Sequence, residues 1–149
     1  MVNAIFYLNK TGGQWRYLPK DFPSYKWVSY YYHQWVDNNS WEKINTIIHR
    51  CLRKEVGRNE DPSAGIIDTQ TVKGTPESAK ESGFDGGKLM KGRKRHIIVD
   101  TMGYPIISRV HAANVDDGHG ACEVLNALFS IVDTVKKIWA DGTYRGGVS

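Results

Sequence analysis

The stretch that decides the fold is "AGIIDTQTVK", residues 64–73, because the spacing of apolar residues changes there from helical to strand-like. Before it lies "GRNEDPSAG", residues 57–65, which is polar and contains a proline, a composition typical of a linker. The sequence therefore predicts two regions, over residues 1–57 and 65–149, joined by a linker over residues 58–64.

The region before the linker has the apolar spacing of helices. Residues 2–9, "VNAIFYLN", form an apolar run that predicts a first helix. Ser24 and Ser40 are predicted N-caps of two further helices, over about residues 25–36 and from Trp41 to Gly57. Three short helices joined by short turns predict a small helical module of helix-turn-helix type.

The second of these helices is rich in aromatic residues, in "YKWVSYYYHQW", residues 25–35. Such a stretch is more often a packed helix surface than a platform for stacking bases, and both interpretations stay open. Lys26 and His33 fall on one side of this helix and are candidate DNA contacts.

The region after the linker alternates between strands and one helix. "RKRHIIVDT", residues 93–101, and "YPIISRVHAA", residues 104–113, flank Met-Gly and predict an antiparallel hairpin. "KKIWAD", residues 136–141, predicts a further strand, and residues 74–88 have the Gly, Ser and charge content of a mobile loop. Between hairpin and last strand, Asp116 or Asp117 is predicted to cap a helix that runs to about Ile131, with a buried stripe of Val124, Leu125, Leu128 and Phe129.

The resulting order is β-β-β-α-β. Three consecutive strands can pair antiparallel, and the helix crossover returns the fourth strand parallel to a neighbour. A mixed sheet of this order is the opening half of an RNase H-like fold, of the α+β or α/β class, in which the fourth strand lies beside the first. The predicted architecture is therefore a small helical module followed by an incomplete RNase H-like sheet.

Asp68 and Asp141 each follow apolar strand residues directly. Either carboxylate alone is explained by a solvated strand end, because most carboxylates are exposed. If the first and fourth strands are adjacent and parallel, however, the two can converge into an oxygen-ligand site suited to Mg²⁺ or Mn²⁺. Such sites generally need a third acid, and "GTYRGGVS", residues 142–149, contains none.

The positive charge of the chain is concentrated in "KLMKGRKRH", residues 88–96. Five basic residues lie there against a formal net charge of +4 for the whole chain, so the remainder is close to neutral. A solvated charged loop explains such a run, but a concentrated patch also indicates contact with a polyanion such as the DNA backbone. The candidate contacts in it are Lys88, Lys91, Arg93, Lys94, Arg95 and His96.

Other classes of protein and site receive little support. The sequence has no apolar stretch of membrane-spanning length and no signal peptide, so we expect a cytoplasmic, nucleoid-associated protein without a membrane partner. Cys51 and Cys122 lie far apart, which disfavours a disulfide framework. The spacing of His111, His119 and Cys122 matches no ordinary structural zinc site.

Five segments, taken together and in order, resemble the bacterial insertion-sequence transposases of the DDE class, in the insertion-sequence-five group. The resemblance runs over nearly the whole chain and is therefore more specific than any one motif. The segments are "AIFYLNKTGGQWRYLPKDFPSYKWV" (4–28), "IIDTQTVKGT" (66–75), "GFDGGKLMKGRKRHIIVDTMGYPI" (83–106), "VHAANVDDGHGA" (110–121) and "IWADGTYRG" (138–146).

The resemblance implies DNA binding by the N-terminal helices and an RNase H-like domain with an Asp, Asp, Glu triad that binds two divalent metal ions. It implies Asp68 as the first acid and Asp141 as the second. The reaction of the family is metal-dependent hydrolysis at transposon ends, followed by attack of a 3′-hydroxyl on target DNA. The implied partners are terminal-repeat and target DNA, together with further copies of the chain or an intact transposase.

The family pattern continues past the second acid to a helix that bears the Glu, and it usually has a helix before "AIFYL". We therefore expect a transposase truncated at both ends, with weak or no strand transfer alone. Two alternatives stay open: a non-catalytic DNA-binding fragment that competes with intact transposase, and a nonfunctional remnant.

Overall fold

The computed structural model describes residues 1–74 and 82–141. The helices are α1 (Val2–Thr11), α2 (Tyr25–Asp37), α3 (Ser40–Glu55) and α4 (Asp117–Phe129), with a 3-10 turn at Trp15–Tyr17. The strands are β1 (Ala64–Lys73), β2 (Gly83–Asp85), β3 (Met90–Asp100), β4 (Pro105–Ala112) and β5 (Lys137–Trp139). Within the described residues, no helix has both the length and the apolar character needed to cross a bilayer.

The chain divides into two compact units, Met1–Ile44 and Asn45–Ser149. The division falls inside α3, whereas the composition of the sequence changes at residues 58–64. That predicted linker is held to α3 by two side chains: Arg53 Nε donates to the Asn59 carbonyl at 2.7 Å, and Arg50 Nε donates to Asp61 at 2.7 Å. The functional division into 1–57 and 65–149 stays a prediction.

The first unit packs its helices around a small apolar core of Ala4, Ile5 and Val28. The aromatic residues of α2 divide between two environments, because a helix presents successive residues to different sides. Tyr32 and Trp35 pack against this core. Trp27, Tyr30 and Tyr31 are exposed and contact one another. The packed-surface interpretation therefore holds for one side of α2 only.

The three helices of the N-terminal region are confirmed, but their caps differ in detail from the prediction. Ser24 stands at the N-cap position of α2, yet its side chain makes no capping hydrogen bond. Ser40 is the first residue of α3 and does not precede it; its backbone N–H donates to Asn38 Oδ1 at 3.0 Å. Gly57 follows α3 with a φ of +69°, the left-handed conformation expected after a helix.

The second unit is built on a mixed sheet with β3 in the middle. β3 pairs antiparallel with β1 along one edge, and with β4 and the short β2 along the other. β5 pairs with β1 in parallel, next to the first strand as the sequence predicts. The predicted fold class is therefore confirmed, with one added strand: β2 lies inside the segment expected to be a mobile loop, of which residues 75–81 are outside the described residues.

Helix α4 covers one face of this sheet. Asp116 caps it, since its side chain accepts a hydrogen bond from the His119 backbone N–H at 3.3 Å. Of its predicted stripe, Val124 and Leu128 are buried, whereas Phe129 is exposed because it falls on the far side of the helix end. The core beneath α4 includes Ile67, Ile98, Ile106, Ile107, Ala121 and Val135.

Candidate functional site

The two faces of the sheet differ in what covers them. The odd-numbered residues Gly65 and Ile67 of β1 are buried, and Ile67 belongs to the core beneath α4. The even-numbered residues Ile66, Asp68, Gln70 and Val72 are exposed. Since side chains alternate along a strand, these even-numbered residues share one face of the sheet, which we call the open face.

Asp68 lies on the open face of β1. Its Oδ1 accepts a hydrogen bond from the backbone N–H of Thr69 at 2.8 Å, a local contact that fixes the orientation of the carboxylate. Directly across the sheet it faces Ile97 of β3. The Asp68 carboxylate is thus exposed, and the residue opposite it, Ile97, is apolar.

Asp141 follows β5 and is exposed. In the parallel pairing of β1 with β5, Ile66 lies opposite Trp139. Asp68 and Asp141 each come two residues later, so the same register, if extended past the end of β5, would bring them to the same level and the same face. Neighbouring strands are about 4.8 Å apart, close enough for two carboxylates to share one cation.

The donor set at this position suits a hard divalent cation, because both side chains offer only oxygen. Within residues 1–74 and 82–141, no group of three or more His, Cys, Asp or Glu side chains is arranged to hold a metal ion. The described part of the chain therefore offers two exposed carboxylates here, Asp68 on β1 and Asp141 two residues after the end of β5.

Part of the basic stretch also lies on the open face. In antiparallel strands, residues directly opposite each other project to the same face. Arg95 pairs with Gln70, and Arg93 pairs with Val72, so both arginines share the face of Asp68. Arg95 Nη2 donates to Gln70 Oε1, and Arg93 is half-buried. Lys91, two residues before Arg93 in β3, is exposed.

Lys94 and His96 lie on the opposite face, beneath α4. Lys94 is 6% exposed, and its Nζ contacts Asp117 Oδ1 and the Val115 carbonyl, each at 2.8 Å. His96 is fully buried with Nδ1 at 3.2 Å from the hydroxyl of Thr69, and burial lowers its pKa. The alternation of the strand thus divides the basic stretch into a surface group and a buried group.

Lys88 belongs to neither group, because it lies in the turn between β2 and β3. Its side chain is exposed, and its Nζ is 3.4 Å from the backbone carbonyl of Thr69, the residue after Asp68. The Lys88 ammonium thus lies beside the backbone of the residue that follows Asp68.

The remaining candidate contacts, Lys26 and His33, are on α2 in the first unit. Both are exposed, and they are two helical turns apart on one side of the helix. The His33 ring packs near Trp15, with 6.2 Å between ring centroids.

Asp100, which belongs to no recognisable sequence motif, is the centre of a buried charged cluster. Its Oδ2 lies 2.5 Å from Arg53 Nη1 and 3.2 Å from His49 Nε2, while its Oδ1 accepts backbone N–H groups of Met102 and Tyr104. Burial alone would raise the pKa of Asp100, but the hydrogen bonds from Arg53 and the two backbone groups outweigh it, and the pKa is lowered. The cluster attaches α3 to the β3–β4 hairpin, and its partners lie too far apart in sequence to be paired by inspection.

Two comparisons with known families bear on this arrangement. A family described as "Transposase DDE domain" matches residues 59–148, and one described as "Putative transposase of IS4/5 family" matches residues 1–45. No curated protein and no solved structure gives a significant match. The first family match spans more than half of the chain and covers both Asp68 and Asp141. The chain therefore belongs to the DDE transposases of the IS4/5 family, as the resemblance indicated.

Proposed function

We propose that Asp68 and Asp141 are the first two acids of the divalent-metal site with which a DDE transposase cleaves and joins DNA. The observation that carries the proposal is the register of β1 and β5, which supports convergence of the two carboxylates on the open face. DDE transposase domains are generally dependent on divalent metals. When bound, Mg²⁺ or Mn²⁺ would activate a water or 3′-hydroxyl and stabilise the leaving oxygen at a phosphodiester.

The residues around the acids have separate roles in this proposal. Lys91 and Arg95 neutralise backbone phosphates, since they are exposed cations on the open face. Lys88 does the same from the β2–β3 turn, where its exposed ammonium lies 3.4 Å from the carbonyl of Thr69. Asp68 and Asp141 hold the cation and, without it, repel the same phosphates. Lys94 and His96 do not contact DNA in this proposal, because both are buried beneath α4.

This division of roles predicts opposite effects of the two groups on DNA affinity. Mn²⁺ should strengthen binding of double-stranded DNA to the unaltered chain. The Asp68→Asn/Asp141→Asn variant should bind at least as tightly without Mn²⁺, because a repulsion is removed, and should gain less when Mn²⁺ is added. Asp133→Asn is the matched control, since Asp133 is an exposed acid before β5.

Filter binding over a range of salt concentrations measures both effects. The slope of log binding constant against log salt concentration measures the number of phosphate contacts. Lys91→Ala and Arg95→Ala should each lower the magnitude of this slope by about 0.9, whereas Lys54→Ala on α3 should not. An equal Mn²⁺ response in the unaltered chain and in the double Asp variant would refute the metal assignment. Unchanged salt dependence in both basic variants would refute the DNA surface.

The alternative of a purely DNA-binding chain predicts a different outcome. In that case binding depends on the basic residues, and Mn²⁺ acts equally on every variant. The same titration therefore distinguishes the two functions without requiring a complete transposition reaction.

A further inference from the structure

The turn between β2 and β3, residues 86–89, is organised around one acidic side chain, Asp85. Asp85 is 8% exposed, and both of its carboxylate oxygens are used. Oδ2 accepts from the hydroxyl of Thr71 at 2.6 Å, and Oδ1 accepts from the backbone N–H groups of Gly87 at 3.0 Å and Lys88 at 3.1 Å. The carboxylate thus ties the turn to β1 at one end and to the backbone of Lys88 at the other.

The path of the chain is also constrained before the turn, at Gly83, and at its last residue, Leu89. A Cβ atom on Gly83, at the start of β2, would lie 1.9 Å from the side-chain oxygen and 2.6 Å from the backbone nitrogen of Asn114, so the chain passes too close to Asn114 for another residue. Leu89 has a φ of +49°, an uncommon conformation for a residue with a side chain. Such a conformation persists where surrounding contacts determine it, and it concentrates at functional sites.

This fixed turn holds Lys88 against β1. The Lys88 Nζ lies 3.4 Å from the carbonyl of Thr69, directly after Asp68, while the side chain stays exposed. Hydrogen bonds from Thr71 and from the backbone of Lys88 also lower the pKa of Asp85, so the carboxylate remains ionised and can accept all three bonds.

We propose that Asp85 is a positioning residue, which holds the 86–89 turn so that Lys88 contacts a DNA phosphate next to Asp68. The inference rests on the proposed function, because it assumes that the chain binds DNA beside its acids. Asp85 itself does not touch the DNA. Its carboxylate is occupied by Thr71 and the turn, and it acts through the location of the lysine ammonium.

The test is a double-mutant cycle in DNA binding with Asp85→Ala and Lys88→Ala in the full chain. Each single variant should lower the magnitude of the salt dependence by about 0.9, the value for one lost phosphate contact. The double variant should lower it no further, because both changes remove the same contact. Asp85→Asn should keep most of the salt dependence that Asp85→Ala loses, since the amide oxygen of asparagine can still accept from the two backbone N–H groups.

Lys91→Ala is the control for general damage, as Lys91 lies on β3 outside the turn. Its effect should add to that of Asp85→Ala. Thermal unfolding of each variant shows whether the fold survives, and Thr71→Val provides a milder second route to loosening the carboxylate.

Three results would overturn the inference. The first is an unchanged salt dependence in Asp85→Ala, and the second is full additivity of Asp85→Ala with Lys88→Ala. The third is that Asp85→Ala also removes the contribution of Lys91, so that adding Lys91→Ala to it has no further effect. If the unaltered chain shows no salt-dependent DNA binding, the proposed function falls as well. If Lys91→Ala and Arg95→Ala weaken binding while Asp85→Ala does not, only the role of Asp85 is excluded.

Discussion

Asp100 illustrates at the scale of one residue how a charge can be buried without being isolated. Four donors converge on its carboxylate, two from α3 side chains and two from the backbone of the β3–β4 turn. A buried ion pair is expensive to break, because the remaining charge is left without its partner in a medium that solvates it poorly. The cluster therefore determines where α3 joins the sheet.

Asp100→Ala should lower the free energy of unfolding by about 3–5 kcal/mol, because Arg53 would remain buried without its carboxylate. Asp61→Ala is the matched control: its pair with Arg50 is partly exposed, and its loss should cost no more than about 1 kcal/mol. Chemical denaturation measures both. Equal losses in the two variants would show that the buried cluster has no special importance.

The histidine of this cluster makes stability dependent on pH. Burial lowers the pKa of His49 below the ordinary value of 6.5, so between its folded and unfolded pKa values the unfolded chain binds more protons. Stability then rises with pH in that window. The unfolding free energy should therefore fall as pH decreases through the ordinary histidine value of 6.5, with up to about 1.4 kcal/mol per pH unit from each such histidine.

A second decrease should follow in acid. The lowered pKa values of Asp100 and Asp85 keep both ionised in the fold, so stability is lost once the unfolded carboxyls, with an ordinary value of 3.8, begin to take up protons. Urea titrations from neutral to acid pH measure both windows, and His49→Gln should reduce the slope of the first. Stability that is constant or rises on acidification would contradict this prediction.

At the scale of elements, the approach of α4 to the sheet depends on Gly120. A Cβ atom at this position would lie 2.3 Å from Nε2 of His96, a rigid ring that is fully buried. Glycine lowers helix stability by about 1 kcal/mol relative to alanine, so close packing must outweigh this cost. The small residue thus allows α4 to cover β3 directly.

Gly120→Ala should accordingly destabilise the protein by about 1–3 kcal/mol, despite the better helix propensity of alanine. Gly86→Ala serves as a control, since no atom lies within 4 Å of its added Cβ, and it should be near neutral in thermal unfolding. A Gly120→Ala variant as stable as the unaltered chain would mean that α4 and β3 are less closely packed than described.

The strands also show what could be predicted from sequence and what could not. β1 has the predicted bounds, and the hairpin and parallel β5 follow from turn signals and the crossover rule. The burial of Lys94 and His96 could not be predicted from the sequence. Charged and apolar residues occur at both odd and even positions of β3, so their alternation indicates no inward face. β2 has only three residues in a Gly-rich segment, too few to show a strand period.

At the scale of the whole molecule, two boundaries in the chain coincide. The first compact unit ends at Ile44, and the IS4/5 transposase match ends at residue 45. Helix α3 continues through this point: Trp41 packs with the first core, whereas the Asn45 side-chain amide donates to the carbonyls of Pro105 and Ile106 at 3.2 and 3.0 Å. Composition could not indicate a division there, since the helical pattern is unbroken.

The candidate acids were the most accessible part of the site, because each follows a recognisable strand. Their proposed convergence depends on the pairing of Ile66 with Trp139, and the contacts of Gln70 with Arg95 and of Asp85 with Thr71 are visible only with the side chains in place. A signal for Asp85 was present in "DGGK", residues 85–88, since Asp before glycines is typical of a turn whose side chain bonds the backbone.

The most direct test of the central claim is Mn²⁺ binding to the full chain, measured by electron paramagnetic resonance of the free ion. We predict that Asp68→Asn and Asp141→Asn each remove most of the bound Mn²⁺, that the double variant removes little more, and that Asp133→Asn has no effect. This non-additivity is expected of two ligands that share one ion. Retention of Mn²⁺ by either single variant, or losses that simply add, would contradict a shared site between β1 and β5.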